Sequence, residues 1–391
     1  MLKEMICTAV LLAVLGFCAC AAEKPDVSAR AAVLMAADTG EVLYAKNEHE
    51  RLGVASTTKI MTALLTLERA TPDRVVTATP EMVNVEGTSM GLQVGDRVSF
   101  HDLVIGMLLP SGNDAANTAA LAIAGSAQVF AGMMNQKAKQ LGMTDTHFVT
   151  PSGLDDNNHF STAYDMALLG CYAMQNPLFV QICSSQKATV RFENESFDRT
   201  YRNHNRLLRT LSGALGVKTG YTKKSGRCLV SAAERNGVLL VCVTLNAPND
   251  WADHEKLFDY GFSLVHRGTI PAATATVPVF GAAVNCVNVC AARALSVTTQ
   301  TDCSRFQVRV LMQPYCFAPV EKGQVLGTMA VYDGNRCVAS TPLLSETELP
   351  AVTKEISRSR RFDRLIRFFQ QIKQHFFGGR VTYGGQYHQT A

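Results

Sequence analysis

Residues 216–245 read GVKTGYTKKSGRCLVSAAERNGVLLVCVTL. Three strand-like runs lie here, at 217–222, 227–234 and 238–245, and Asn236-Gly237 joins the last two. Asn-Gly supplies the two positive φ angles of a two-residue hairpin turn, so antiparallel pairing of those two runs is expected. Outward from this stretch, a helical pattern follows at about 251–265. Far upstream, 31–36 (AAVLMA) and 42–45 (VLYA) flank Asp38-Thr39-Gly40-Glu41, a second strand–turn–strand signal. Between the two strand regions the chain reads as helix. Ile60, Met61, Ala63, Leu64, Leu65 and Leu67 follow Ser56, and further helical patterns occupy about 102–109, 114–124, 128–141 and 162–175. Strands first, helices in the middle and strands last predict an α/β (α+β) domain with an antiparallel sheet and a helical subdomain. After His266 the texture shifts to Thr, Val and Ala in short runs with turns such as Asp333-Gly334, which predicts a small all-β domain over 266–350.

The 391 residues are 47% hydrophobic and 18% charged, enough apolar surface for buried cores and too long a chain for one small domain. Disorder over most of the length is excluded. The formal charge of +4 is unevenly placed. Residues 354–380 carry eight Lys/Arg against Glu355 and Asp363, so the rest of the chain is slightly acidic and has no electrostatic footprint for nucleic acid.

Both ends point to a membrane. Residues 1–22, MLKEMICTAVLLAVLGFCACAA, combine Lys3, an uncharged apolar run and the small-x-small Ala19-Cys20-Ala21, the pattern of a secretory signal peptide. At the other end, 351–378 is expected to form an amphipathic helix. Phe362, Leu365, Ile366, Phe369, Ile372 and Phe376 recur at three- and four-residue spacing among basic residues. Its charges forbid a transmembrane span and suit the surface of an anionic membrane; packing against a partner or the protein itself is the alternative. Residues 379–391 read as a disordered tail. The expected location is the extracytoplasmic face of the cell membrane. Of 12 cysteines, Cys7, Cys18 and Cys20 lie in the leader. The remainder show no CxxC pair and no zinc spacing, so no disulfide and no metal site is assigned.

Three short motifs carry chemistry. In Ser56-Thr57-Thr58-Lys59, residues three apart share a helix face, which sets the Lys59 amine beside the Ser56 hydroxyl. Serine needs a base to become a nucleophile, and lysine serves as one only when burial or another cation lowers its pKa. Ser111-Gly112-Asn113 follows Pro110, with Ser111 suited to proton relay and Asn113 to holding an amide; alone it is a turn before a helix. Lys218-Thr219-Gly220 lies on an expected strand. Its cation and hydroxyl suit a carboxylate, and Gly220 admits a close backbone approach. A second S-x-x-K, Ser184 to Lys187, reads as chance. His159 near Asp155 and Asp156 reads as loop capping rather than metal binding. Arg202, His204 and Arg206 either touch substrate or line a solvated loop.

An S-x-x-K with S-x-N and K-T-G downstream is the motif set of penicillin-binding proteins and class A β-lactamases. The chain resembles the low-molecular-mass penicillin-binding proteins, serine-type D-alanyl-D-alanine carboxypeptidases, and the likeness extends to GTSMGLQVGDRVSFHDLVIGMLLPSGNDAAN (87–117), THFVTPSGLDDNNHFSTAYDMALL (146–169), GVKTGYT (216–222) and KLFDYGF (256–262). The resemblance implies a β-lactamase/transpeptidase-like catalytic domain over 23–265. It implies that Ser56 is the acylated nucleophile, Lys59 its base, Ser111 a proton relay and Asn113 part of the same wall. Lys218, Thr219, Gly220 and Tyr221 would bind substrate, with Lys218 helping to keep Lys59 neutral and the backbone N–H groups of Ser56 and Tyr221 forming the oxyanion hole. The implied substrate is the D-Ala-D-Ala end of the peptidoglycan pentapeptide. β-Lactams would act as covalent inhibitors, and no metal or organic cofactor is needed. Two departures stand out. Asn249-Asp250-Trp251 replaces an arginine-bearing segment of some relatives, which shifts carboxylate recognition toward Lys218 and Thr219, and Val54-Ala55-Ser56 replaces Pro-Ala-Ser. A class A β-lactamase would need a deacylating glutamate between Asn113 and Lys218, where only Glu193 and Glu195 in a polar run stand as candidates. A silent wall-binding protein of the same fold is the other rival.

Overall fold

The computed structural model describes residues 23–352; the expected signal peptide (1–22), the expected amphipathic helix (351–378) beyond its first two residues, and the expected tail (379–391) lie outside the described residues. The described chain forms two compact units. The first runs to Ala273 and adds Ala291–Leu311 and Thr328–Thr341; the second takes Thr274–Cys290, Met312–Gly327 and the stretch from Pro342. The second unit is thus assembled from three separate segments.

In the first unit, β1 (Ala31–Ala36) and β2 (Val42–Lys46) precede five principal helices: α1 (Lys59–Arg69), α2 (Phe100–Leu108), α3 (Asn113–Ala124), α4 (Ala127–Gln140) and α5 (Ala163–Ala173). Strands β3 (Ala214–Thr222), β4 (Gly226–Arg235) and β5 (Val238–Leu245) and helix α6 (Asp250–Leu264) follow. The five strands form one antiparallel sheet in the order β2-β1-β5-β4-β3. The hairpin turn has φ of +51° at Asn236 and +76° at Gly237, the pair of positive angles that the dipeptide tolerates. The first and last parts of the unit are joined by β1, which pairs with β5 from Ala31↔Leu245 to Ala36↔Leu240.

Both faces of the sheet are covered, which explains why AAVLMA is continuously apolar rather than alternating. Successive strand residues point to opposite faces. Ala31, Val33 and Met35 join the helical core with Val241 and Val243, whereas Ala32, Leu34 and Ala36 join the second core with Leu240, Leu257 and Phe258. Helix α6 closes that second core. Asp253 accepts from Ser28 N (3.0 Å), Ser28 Oγ (2.7 Å) and Ala29 N (3.1 Å), tying the entry to β1. Buried His254 bridges Ser231 on β4 and Thr244 on β5.

On the other face, α1 is buried along Lys59–Thr66, so it is the central helix rather than a surface one. Its neighbours start at side-chain caps. Ser99, Ser126 and Thr162 accept from Asp102 N, Val129 N and Asp165 N at the starts of α2, α4 and α5, each satisfying an otherwise orphan donor. Two short antiparallel ribbons, Val75–Thr77 with Arg97–Ser99 and Lys187–Val190 with Arg199–Arg202, were not expected from the sequence. At three or four residues they are too short to show periodicity.

From His266 onward every regular element among the described residues is a strand. In the second unit β6 (Thr274–Phe280) pairs antiparallel with β7 (Cys286–Ala291) and parallel with β8 (Cys316–Phe317). Val277, Val279, Val287 and Val289 are buried on one face. Among the described residues no helix is long and apolar enough to cross a membrane.

Candidate active site

Ser56 sits in a single 3-10 turn, Ala55–Thr58, and Lys59 opens α1 behind it. The sequence reading placed both on one α-helix. The tighter turn eclipses residues three apart and so aligns the two side chains more directly. Lys59 Nζ lies 2.9 Å from Ser56 Oγ and donates to Ser152 O at 2.8 Å. Lys59 is fully buried, and burial, followed by the charge of Lys218, holds its pKa well below the usual lysine value; Asp114 opposes this. Ala55 has φ of +46°, a left-handed conformation costly for a residue with a Cβ, held immediately before the nucleophile. Gly153 packs beneath it so closely that an added Cβ would lie 1.9 Å from Ala55 O.

Ser111 is the second non-glycine residue at the site with positive φ (+66°), and its carbonyl accepts from Thr88 Oγ1 at 2.7 Å. Asn113 opens α3. Its Nδ2 donates to Glu86 O at 2.6 Å, and its buried Oδ1 has no hydrogen-bond partner. The geometry of this wall is held by Asp114, buried to 1% exposure. Its carboxylate accepts from Met90 N (2.8 Å), Gly91 N (3.0 Å), Leu92 N (3.0 Å) and Ser89 Oγ, clamping loop 88–92 to the start of α3. Sequence reasoning missed this role. The only signal was an acidic residue in a first helical turn.

Strand β3 is an edge of the sheet, and its K-T-G segment runs beside the nucleophile turn. A Cβ added to Gly220 would lie 3.1 Å from both Ser56 N and Thr57 N. The missing side chain therefore first makes room for the protein's own turn. Lys218 is fully buried, donates to Thr219 O at 2.8 Å, and is lowered by burial to about 7. Ser56, Ser111, Thr219, Gly220 and Tyr221 line one cleft of about 390 Å³ together with Thr88, His204, Arg227, Asp250 and Trp251. The structure thus gathers Ser56, Lys59, Ser111, Asn113, Lys218, Thr219, Gly220 and Tyr221 from three distant stretches into and directly behind that cleft.

The cleft also settles residues left open or unnoticed in the sequence. His204 lines it, whereas Asn203 and Asn205 are buried among backbone groups. Burial and then the Lys218 charge lower the His204 pKa below the ordinary histidine value. Arg227, unmarked by any motif, stands across from Tyr221 in the β3–β4 register. It pairs with buried Asp250 at 2.9 Å, and its guanidinium lies 5.6 Å from the Trp251 ring. His159 accepts from Val149 N and Thr150 N through Nδ1, so its Nε2 donates to Thr58 Oγ1 at 2.8 Å. It braces the loop against the nucleophile turn. Glu193 and Glu195 pair with Arg97 and Arg199, and neither lines the cleft. The Ser184–Lys187 copy straddles a helix end and a strand start, so it forms no shared face.

A hydroxyl activated by a desolvated amine, beside an edge strand bearing a second amine, defines an active-serine acyl-transfer enzyme. Comparison with known proteins specifies which. Residues 18–249 match the family described as D-alanyl-D-alanine carboxypeptidase, peptidase S11, and residues 261–351 match the penicillin-binding protein 5 C-terminal domain. The chain belongs to the S11 D-alanyl-D-alanine carboxypeptidase family, the low-molecular-mass penicillin-binding proteins. It is 34% identical to the D-alanyl-D-alanine carboxypeptidase DacC of Escherichia coli over 91% of both chains. It is 31% identical to DacF of Bacillus subtilis over 82% of this chain and 86% of that one. The crystal structure of DacD from Francisella tularensis matches with a TM-score of 0.59 at 26% identity, covering 84% of this chain and 95% of that one. The Streptomyces K15 DD-transpeptidase matches with the same TM-score at 33% identity, covering 62% of this chain and 99% of that one.

Proposed function

We propose that this serine D-alanyl-D-alanine carboxypeptidase removes the terminal D-alanine of peptidoglycan pentapeptide stems through an acyl-enzyme on Ser56. The observation that carries the assignment is the 2.9 Å approach of Lys59 Nζ to Ser56 Oγ, with burial and then the Lys218 charge lowering the proton affinity of Lys59. With one N–H committed to Ser152 O, the amine keeps a lone pair for the serine proton. Ser56 Oγ attacks the penultimate D-alanine carbonyl, and its proton passes to Lys59. The backbone N–H groups of Ser56 and Tyr221 stabilise the oxyanion. The peptide C–N bond breaks, and the proton returns through Ser111 to the leaving amine of D-alanine. Water then adds to the ester and Ser56 is released with its proton restored.

The substrate lies along the outer edge of β3 as an added strand. Lys218 and Thr219 hold its terminal carboxylate, and Asn113, whose Oδ1 is buried behind the cleft lining, reaches a substrate amide once its side chain turns toward the cleft. Arg227 adds a cation at the cleft mouth. β-Lactams acylate the same hydroxyl. Cell-envelope location fits the family. The finer reading is export by residues 1–22 and attachment to the extracytoplasmic membrane surface by 351–378, supported by the apolar stripe and basic residues of that stretch.

The test is D-alanine release from a D-Ala-D-Ala peptide, with mass spectrometry of the β-lactam-labelled protein. The wild type releases D-alanine and carries the label on Ser56. Ser56→Ala loses turnover by at least ~10³-fold and takes no label. Wild type without release, or label elsewhere, overturns the assignment.

A further inference from the structure

The second unit bears an apolar surface that hydrolysis does not use. Residues 268–292 and 310–320 contain no Asp, Glu, Lys, Arg or His. They meet at the end of β6, where Phe280 stands in register with Phe317 of β8 and Ala318 N donates to Phe280 O at 2.9 Å. Phe280, Tyr315 and Phe317 form a mutual ring cluster with centroids 5.6–6.0 Å apart. They pack on one another yet are 56%, 48% and 67% exposed, and Val284 in the adjoining loop is 48% exposed. A contiguous exposed aromatic patch marks a docking surface rather than a core. Val352 N donates to Gly281 O at 2.7 Å, so the last described residue lies beside this patch. The sequence that follows is the basic, Phe/Ile/Leu-striped stretch 354–380.

We propose that Phe280, Tyr315 and Phe317 form a foot that lies in the headgroup layer of an anionic bilayer, next to the 351–378 stretch. The proposal rests on the membrane reading above. Aromatic side chains favour the boundary between water and acyl chains, where a ring is desolvated and a phenol stays wet. Anionic headgroups also neutralise the eight cations of 354–380. The patch has no acidic residue in its own stretches to receive those cations, so folding the basic segment back onto it is the poorer pairing.

The experiment uses the full chain and vesicles of phosphatidylglycerol and phosphatidylcholine with or without brominated acyl chains. Phe317→Trp adds a reporter to the single native Trp251, which lines the cleft. Brominated vesicles are expected to quench the added emission and to leave wild-type emission unchanged. The triple variant Phe280→Ser/Tyr315→Ser/Phe317→Ser is expected to lower partitioning by about tenfold or more while β-lactam labelling of Ser56 is retained. Vesicle-bound Phe317→Trp without quenching overturns the foot and leaves the anchor standing. A full chain that does not bind vesicles overturns both. If removal of 353–391 shifts the Phe317→Trp emission without lipid, the chain's own segment covers the patch and the foot is overturned.

Discussion

At the scale of single residues, the site depends on two buried amines that repel each other. Lys59 accepts a proton from Ser56 only if it arrives without one. Burial is the main cause of its low proton affinity and the Lys218 charge the second. Lys218→Gln removes that charge, so Lys59 binds its proton more tightly and needs a higher pH to release it. The acidic limb of the β-lactam acylation rate is therefore expected to move to higher pH in Lys218→Gln, and less so in Lys218→Arg, which keeps a cation. An unmoved limb would mean that Lys218 binds substrate without tuning the base. Residues with chemistry of their own were legible in the sequence: Ser56, Lys59, Ser111, Asn113, Lys218 and Thr219 form recognisable spacings. Arg227 was not, because its place in the cleft comes from the cross-strand register with Tyr221 and from the pairing with Asp250, neither of which is a local pattern. Asp114 was hidden for a similar reason, since its four donors come from loop 89–92, over twenty residues away.

At the scale of elements, the decisive contact is between the 3-10 turn and the edge strand. Gly220→Ala places a methyl group 3.1 Å from the amides of Ser56 and Thr57, so turn or strand must yield. Acylation by a β-lactam is expected to slow by ~10–100-fold with the circular dichroism spectrum and unfolding midpoint little changed. Unaltered acylation would show that the turn has slack. Apolar periodicity placed the principal helices and central strands to within a few residues. It failed where elements are short: a four-residue 3-10 turn reads like helix because it continues into α1, and three-residue ribbons offer no repeat to detect.

At the scale of the whole molecule, two histidines are buried and respond to acid, His254 against the sheet and His159 in the loop that braces the nucleophile turn. His254 is lowered to about 3 and His159 to about 4, in both cases mainly by burial, from an ordinary 6.5. The unfolded chain binds protons at these sites before the folded one does, so stability falls as pH drops below 6.5. Each histidine contributes a loss of about 2 kcal/mol by pH 5. The half-buried carboxyls of Asp165 and Asp250, raised by burial, offset part of this. Denaturant unfolding is expected to give a stability lower at pH 5 than at pH 7 by about 2–4 kcal/mol. Equal stability at both values would mean that the two rings are hydrated.

The pairing of β1 with β5 has a further consequence for how the chain comes to be folded. The first strand emerges early and can pair at once with β2, but its other neighbour exists only when Leu240–Leu245 has been made, so the sheet cannot be completed around a partial chain. Assembly is postponed to near completion of the unit and is slow, as for any topology dominated by distant pairing. Export as an extended thread, proposed above from residues 1–22, would fit that delay.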